Sequence, residues 1–233
     1  MMKVLVIVPA FNEEEGIKHV VEQFKNINNV DILVVNDCSK DRTSKVCREF
    51  GLNVVDLPCN LGIGGAVQTG YKYAKLHNYD IAIQVDGDGQ HNPSYIEGLI
   101  QPIVEGKANL VIGSRYLNKE GFQSTFMRRV GITYFSFLIK LLQKQKITDP
   151  TSGFRACDRE VIELFSQRYP VDYPEPESIV YLLRNNYKVA EVPVIMNERM
   201  GGESSINAFK SVYYMIKVSL AIIIDNLRKY GLT

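Results

Sequence analysis

Three features that would assign this 233-residue chain to particular protein classes are missing from it. Its 27 Lys plus Arg against 26 Asp plus Glu give a net charge of +1, so it lacks the basic excess of a nucleic-acid-binding protein. Its four cysteines form no C-x-x-C pair and have no histidine cluster beside them, which argues against a zinc site and a disulfide scaffold. We therefore expect free thiols in a reducing cytosol and no nucleic-acid partner.

The chain also lacks an uncharged apolar run of about 18 residues, the length that a bilayer-spanning helix needs. The nearest candidate, 211–224, is interrupted by Lys217. The apolar run that follows the first residues is too short for a signal peptide and predicts a first strand instead. The sequence contains no internal repeat, low-complexity tract or linker, and its length suits one large α/β domain. We predict a single domain with a C-terminal helical appendage.

The first half of the chain alternates strand and helix patterns, which predicts a mainly parallel sheet with helices on both faces. The predicted strands cover 3–8, 31–35, 53–57, 80–85 and 109–112, and the predicted helices cover 13–24, 39–50, 64–76 and 93–104. The second half is less regular, with predicted helices at 127–142, 174–185 and 207–228, a strand at 188–196 and a turn-rich segment at 149–156. Ligands bind such sheets beyond the carboxyl ends of the strands, so we expect the site there.

The predicted strand 80–85 runs directly into two carboxylates, Asp86 and Asp88, which are separated by one glycine. Glycines at 87 and 89 allow the backbone to bend tightly at this point. Two carboxylates so close repel each other unless a cation or hydrogen-bond donors lie between them. Oxygen ligands at the end of a strand suit Mg²⁺ or Mn²⁺, with substrate phosphates completing the shell. The alternative is a polar turn that only closes the strand.

Glu13 and Asp37 follow the first and second predicted strands, where adjacent parallel strands would bring them within reach of one ligand. Carboxylates there suit the base N–H groups and ribose hydroxyls of a nucleoside, although helix capping explains the same residues. A glycine-rich helix entry at 60–66 allows close approach to an anion, but it lacks the lysine of a P-loop. A tight turn is the alternative for that segment.

Seven motifs in this order resemble family 2 glycosyltransferases with the GT-A fold, and they are most similar to the polyprenyl-phosphate branch typified by dolichol-phosphate mannose synthases. The motifs are VPAFNE at 8–13, NDCSKD at 36–41, NLGIG at 60–64, DGDGQ at 86–90, GSR at 113–115, DPTSGFR at 149–155 and RMGGESS at 199–205. The resemblance covers almost the whole chain. It implies a GT-A catalytic domain over 1–205 and a C-terminal amphipathic helix over 206–233.

The resemblance also implies a role for each residue at a matching position. The nucleotide-sugar pocket would comprise Pro9, Phe11, Glu13, Asp37, Gly62 and Asp86. The Mg²⁺ or Mn²⁺ ligands would be Asp86, Asp88 and Gln90, with Arg199 closing over the donor diphosphate. The acceptor phosphate would meet Arg115 and one or both of Arg128 and Arg129. Family members often have Tyr where Phe11 stands, so a hydroxyl is absent here while the ring can still stack.

The implied reaction is metal-dependent, inverting transfer of a sugar, with a UDP-sugar as the default donor, to a polyprenyl phosphate in cell-envelope glycan biosynthesis. A lipid phosphate is already anionic near neutral pH and needs no strong base, whereas a hydroxyl of a glycan or lipid-linked saccharide would need one. The candidate bases are Glu175, Glu177 and Asp149. The segment 174–177 departs from the polyprenyl enzymes, and it also fits acidic residues at a helix N-terminus. A catalytically silent nucleotide-sugar-binding or membrane-partner-binding module is the third hypothesis.

The predicted helices 127–142 and 207–228 are rich in apolar residues and carry only sparse cations, as interfacial helices do. The alternative is that they pack on each other or on a second copy of the chain, and both can hold together. We expect a cytoplasmic protein that lies peripherally on the inner face of the cell membrane. A small membrane protein partner and a homo-oligomer both stay open.

Overall fold

The computed structural model describes residues 2–24, 27, 29–118, 120, 126–197 and 208–227. Its strands are β1 (Val4–Ala10), β2 (Val30–Asn36), β3 (Asn53–Asp56), β4 (Ile81–Gln84), β5 (Leu110–Ser114), β6 (Arg155–Asp158) and β7 (Val189–Pro193). Its helices are α1 (Glu14–Phe24), α2 (Thr43–Glu49), α3 (Gly62–Leu76), α4 (Ile96–Val104), α5 (Phe126–Gln143), α6 (Arg159–Gln167), α7 (Pro174–Arg184) and α8 (Ala208–Leu227). A 3₁₀ turn over Pro93–Tyr95 leads into α4.

These strands form one sheet in the order β3-β2-β1-β4-β6-β5-β7. Strand β6 runs antiparallel to β4 and β5, whereas the other strand pairs are parallel. The predicted α/β class with a mainly parallel sheet is therefore confirmed. The segment 149–156 was expected only as turns, but β6 begins within it. A four-residue strand with Arg155 and Asp158 at its ends shows no apolar run, which explains why the pattern missed it.

The core lies on both faces of the sheet. Every residue of β1 is buried, as expected for a central strand covered by helices on both sides. Alternate side chains of β1 belong to two separate core clusters, Leu5 and Ile7 to one and Val6 and Val8 to the other. On the face that carries Leu5 and Ile7, helix α3 packs closely against β1. The closeness is shown at Gly70, where an added Cβ would lie 2.3 Å from Ile7 Cγ2. This packing holds the carboxyl end of β1 in place.

Helices α5 and α8 pack against each other, as one of the two alternatives predicted. The Tyr134 and Ser219 hydroxyls lie 2.9 Å apart, and the Phe135 and Tyr214 rings meet edge to face with centroids 5.2 Å apart. Both helices nevertheless leave large apolar side chains exposed, namely Val130, Tyr134, Phe137 and Leu141 on α5 and Tyr213, Ile216, Leu220, Ile223 and Ile224 on α8. Across the described ranges, no helix combines the length and apolar character of a membrane span.

Candidate active site

A cavity of about 340 Å³ opens at the carboxyl ends of β1, β2 and β4. Its lining residues are Pro9, Ala10, Phe11, Glu13, Asp37, Ile63, Ala66, Asp86, Gly87, Asp88, Arg128, Thr151, Gly153 and Glu175. We call this space the site cavity. It lies where the sheet topology predicts ligand binding, and it gathers residues from both halves of the chain. A larger groove of about 920 Å³ lies by α1 and α4, but Glu97 is the one ionisable side chain among its lining residues, so it offers little chemistry.

Asp86 and Asp88 both line the site cavity. The Asp86 side chain is 38% exposed, whereas Asp88 is buried and its Oδ1 accepts a hydrogen bond from the Gln90 backbone N–H at 3.1 Å. The loop 149–154 lies against Asp86 so closely that a Cβ on Gly153 would be 2.7 Å from Asp86 Oδ1. Two carboxylates in one cavity form a hard oxygen donor pair, which fits a divalent cation such as Mg²⁺ or Mn²⁺.

Gln90 does not join the two aspartates in the cavity lining. The side-chain NH2 group of Gln90 donates to the Asn197 backbone carbonyl at 3.3 Å. The backbone carbonyl of Gln90 accepts from the Asn197 backbone N–H at 2.9 Å. Gln90 is thus bonded to the segment just after β7, and its predicted role as a metal ligand stays a prediction. In the part of the chain that the structure describes, no three His, Cys, Asp or Glu side chains come together as a metal cluster.

His91 contacts Asp86 through both its ring nitrogens, a role that the sequence did not predict. The Asp86 backbone N–H donates to His91 Nδ1 at 3.1 Å, and His91 Nε2 lies 3.6 Å from Asp86 Oδ2. The imidazole is buried and stacks on Phe154 with ring centroids 4.7 Å apart. Burial lowers the pKa of His91, so the ring is neutral at pH 7 and can accept at Nδ1. Its position five residues after Asp86 was the signal available in the sequence.

Of the predicted nucleotide-pocket residues, all but Gly62 line the cavity, and Asp37 also caps a helix. The Asp37 carboxylate accepts from the Leu61 N–H at 2.7 Å and the Gly62 N–H at 2.9 Å, at the start of α3. Gly62 has a left-handed φ of +74° that favours glycine, and its N–H is engaged by Asp37. The predicted capping alternative is thus observed for Asp37, which nevertheless lines the cavity. Phe11 is 46% exposed there, so its ring is open to a stacking partner.

The start of α1 is capped by the loop between β2 and α2. The Asn12 N–H donates to Ser39 Oγ and the Glu13 N–H to Thr43 Oγ1, both at 2.9 Å. These bonds satisfy backbone donors that a helix start leaves without intrahelical partners. They also fix the two loops that carry Glu13 and Asp37 relative to each other.

Arg115 is engaged inside the protein. Its Nε and Nη2 donate to the two carboxylate oxygens of Asp149 at 2.6 and 2.8 Å, and both side chains are buried. Nη2 also lies 3.4 Å from Thr151 Oγ1. Each group thus pairs with the other away from the cavity lining, and the expectations that Arg115 meets an acceptor phosphate and that Asp149 acts as a base stay predictions.

The two arginines at the start of α5 have different surroundings. Arg128 lines the site cavity, whereas Arg129 lines a separate groove of about 750 Å³ with Val130, Thr133, Tyr134 and Phe137. Neighbouring residues on a helix point about 100° apart, which explains the separation. Of the three arginines predicted for the acceptor, the structure brings Arg128 to the cavity. Arg199, predicted to close over the diphosphate, lies outside the described residues.

Glu175 and Glu177 also separate. Glu175 lines the site cavity, and burial raises its pKa against the opposing charge of Arg155. Glu177 lines a different cavity of about 80 Å³ beside Arg168 and Asp225, and burial raises its pKa to about 7. Residues two apart on a helix point about 200° apart, so they cannot share one cavity. Glu177 therefore does not line the site cavity, and the expectation that it acts as a base stays a prediction.

The sequence model described as glycosyl transferase family 2 matches residues 5–165, which include both aspartates and the loop behind them. This chain belongs to glycosyltransferase family 2. Its relatives include UDP-N-acetylglucosamine–dolichyl-phosphate N-acetylglucosaminyltransferase of Methanococcus voltae, 31% identical over 95% of this chain and 98% of that protein. They also include polyprenol monophosphomannose synthase of Mycolicibacterium smegmatis, 29% identical over 93% of this chain and 86% of that one.

A solved structure of glucosyl-3-phosphoglycerate synthase from Mycobacterium tuberculosis, in complex with Mn²⁺, UDP and phosphoglyceric acid, has the same fold. It superposes with a TM-score of 0.76 over 99% of this family 2 chain and 80% of that protein, at 19% identity. The GT-A fold predicted from the seven motifs is confirmed by this match. At this level of identity the likeness concerns the fold alone.

Proposed function

We propose that the protein is a metal-dependent glycosyltransferase that moves a sugar from a nucleotide sugar, with UDP-sugars first, to a polyprenyl phosphate. One observation carries the proposal: a single cavity has Asp86 and Asp88 and also the cationic side chain of Arg128 in its lining. A carboxylate pair suits a metal-bound diphosphate, and a guanidinium suits a phosphate monoester. The relatives named for transfer to dolichyl phosphate and polyprenol support the acceptor class.

The donor would lie along β1, β2 and β4. The Phe11 ring and Pro9 offer surfaces for a base, and Glu13 and Asp37 offer acceptors for ring N–H groups and ribose hydroxyls. Asp86 and Asp88 would hold Mg²⁺ or Mn²⁺, which when bound offsets the charge of the departing diphosphate. The fold match to a protein solved with Mn²⁺ and UDP supports this donor. Arg199 would add a further cation to the diphosphate.

The acceptor would enter beside α5. Arg128 would orient the lipid phosphate, which is anionic near neutral pH and attacks without a strong base. In-line attack on the anomeric carbon from the face opposite the diphosphate inverts its configuration. Because Arg115 is paired with Asp149, we assign it the role of holding Thr151 and its loop rather than the acceptor.

Glu175 favours a second candidate function, transfer to a hydroxyl of a glycan or lipid-linked saccharide. Its carboxyl lies in the site cavity, and burial raises its pKa toward the range of a general base. A hydroxyl acceptor requires such a group, whereas a phosphate does not. The two functions therefore differ in whether Glu175 is needed for turnover.

We also propose that the exposed faces of α5 and α8 rest on the inner surface of the cell membrane, with residues 1–205 as the catalytic domain. The apolar side chains of both faces are exposed, and Arg128 and Arg129 stand at the start of α5. Apolar residues with cations beside them suit an anionic lipid surface. In this placement, the phosphate of a lipid acceptor would reach Arg128 while the lipid chain stays in the bilayer.

The test is an activity panel with Mn²⁺, undecaprenyl phosphate and UDP-glucose, UDP-N-acetylglucosamine or GDP-mannose. We expect release of nucleoside diphosphate together with a lipid-linked sugar that mild acid cleaves, and loss of both with EDTA. Undecaprenol, which lacks the phosphate, is the matched control and should accept no sugar. Activity on saccharide acceptors alone would replace the first function by the second.

A further inference from the structure

Arg155, the first residue of β6, is fully buried and is the largest of the fully buried side chains. Burying a guanidinium is costly unless its donors are satisfied. Arg115 meets this cost by pairing with Asp149, but the bonds observed for Arg155 go to carbonyl and hydroxyl oxygens instead. The positive charge of Arg155 also counteracts the rise in the pKa of the buried Glu175 carboxyl, which lines the site cavity. The guanidinium is therefore bonded to backbone and hydroxyl oxygens while its charge acts on a carboxyl of the cavity, which calls for a reason beyond packing.

The Arg155 guanidinium connects two separate segments. On one side its Nε and Nη2 donate to the Ser152 carbonyl at 3.1 and 2.6 Å. On the other side its Nη1 donates to Ser178 Oγ at 3.0 Å and lies 3.5 Å from the Glu175 carbonyl. Ser178 Oγ in turn donates to the Glu175 carbonyl at 2.9 Å. One side chain thus ties the loop 149–154 to the first turn of α7.

Both tied segments form walls of the site cavity. The loop contributes Thr151 and Gly153, and Gly153 lies directly against the Asp86 carboxylate. The first turn of α7 contributes Glu175. The separation between the Asp86 side and the Glu175 side of the cavity therefore depends on bonds made by one forked, planar group. A lysine has the charge of arginine but not the fork.

We propose that Arg155 is a positioning residue that sets the width of the site cavity between Asp86 and Glu175. It touches no substrate and acts through Ser152 and Ser178. The proposal rests on the proposed function for its effect on turnover, since a displaced wall misplaces the sugar relative to the acceptor. Misplacement of about 1 Å can cost on the order of 100-fold in rate.

The test compares Arg155→Lys with the matched control Arg184→Lys. Arg184 donates to the Asp225 carbonyl between α7 and α8, away from the site cavity. For Arg155→Lys we expect kcat to fall about 10- to 100-fold with the donor KM changed less than about 3-fold. Backbone amides of 150–156 and 174–179 should exchange hydrogen faster. Arg184→Lys should lower the melting temperature comparably with kcat retained.

Two further measurements keep the outcome decisive. Ser178→Ala removes one link without disturbing the buried charge, and we expect a smaller fall in kcat of about 3- to 10-fold. Mn²⁺ binding followed by electron paramagnetic resonance should persist in each variant. Unchanged exchange in both segments, or an Arg155→Lys enzyme that loses stability but keeps kcat, would overturn the proposal. Hydrogen exchange needs no metal, sugar or acceptor, so the exchange result is separate from the proposed function.

Discussion

The walls of the site cavity are built by two different means. On the proposed nucleotide side, carboxylates at the ends of parallel strands are fixed by backbone N–H groups, as Asp37 is by Leu61 and Gly62. On the proposed acceptor side, the separate walls formed by the loop 149–154 and by the start of α7 are held by the buried guanidinium groups of Arg115 and Arg155. The nucleotide side follows from local sequence and sheet topology, whereas the acceptor side depends on long-range side-chain bonds. Changes on the two sides should therefore have different consequences.

The largest expected effect is on the nucleotide side. Asp86→Asn with Asp88→Asn removes the two anionic oxygen donors of the site cavity, so we expect transfer to fall at least about 1,000-fold. Mn²⁺ binding should be lost by paramagnetic resonance, while the circular dichroism spectrum stays that of the folded protein. Asp80→Asn, just before the other end of the same strand, is the control for removing a carboxylate outside the site cavity. Retained turnover in the double variant would refute the metal assignment.

The next effect is on the acceptor side and concerns stability rather than chemistry. Arg115→Met leaves the Asp149 carboxylate buried without its partner, so we expect about 3–5 kcal/mol less free energy of unfolding. Adding Asp149→Leu should restore most of that loss, because the pair is then replaced by apolar groups. Urea unfolding of the single and double variants measures both the loss and the recovery of the free energy of unfolding. If the double variant were no more stable than Arg115→Met, the loss of stability would not come from leaving the Asp149 carboxylate buried without its partner.

A smaller effect should separate the two arginines of α5. Arg128→Ala removes the guanidinium in the site cavity, and we expect the KM for a short-chain polyprenyl phosphate to rise about 10- to 100-fold with little change in the donor KM. Arg129→Ala is the matched control, since that residue lines the outer groove, and its effect on a detergent-dispersed acceptor should stay within about 3-fold. Equal effects of both changes would place the acceptor on the outer face instead.

The contrast between the walls also explains what the sequence could predict. Strand ends such as Asp86 were found because an apolar run stops at a carboxylate, and the parallel order then brings these ends together. Arg115 was assigned to the acceptor by the family resemblance, and no pattern in the sequence indicates that Asp149, 34 residues away, pairs with its guanidinium. Arg155 was not singled out as a functional residue, because its partners lie on another loop and helix.

The last prediction uses Glu177, the carboxyl that lines a different cavity from Glu175. Its pKa of about 7 exceeds the ordinary value of 4.5, so the folded state binds a proton that the unfolded state has released over that range. The free energy of unfolding should therefore fall as pH rises from 4.5 to 7. Glu177→Gln should make this fall smaller and stabilise the protein at pH 8 by about 1–2 kcal/mol after allowance for solvent screening.

Urea unfolding between pH 5 and pH 8 measures this change, and Glu97→Gln on the exposed face of α4 is the control for losing one negative charge. The activity of Glu177→Gln at saturating substrates should equal that of the unmodified protein, since the residue lies outside the site cavity. Glu175→Gln gives the complementary result. Loss of transfer there but not at Glu177 would show that the cavity carboxyl participates, whereas loss at both would mean that α7 must move as a unit for turnover.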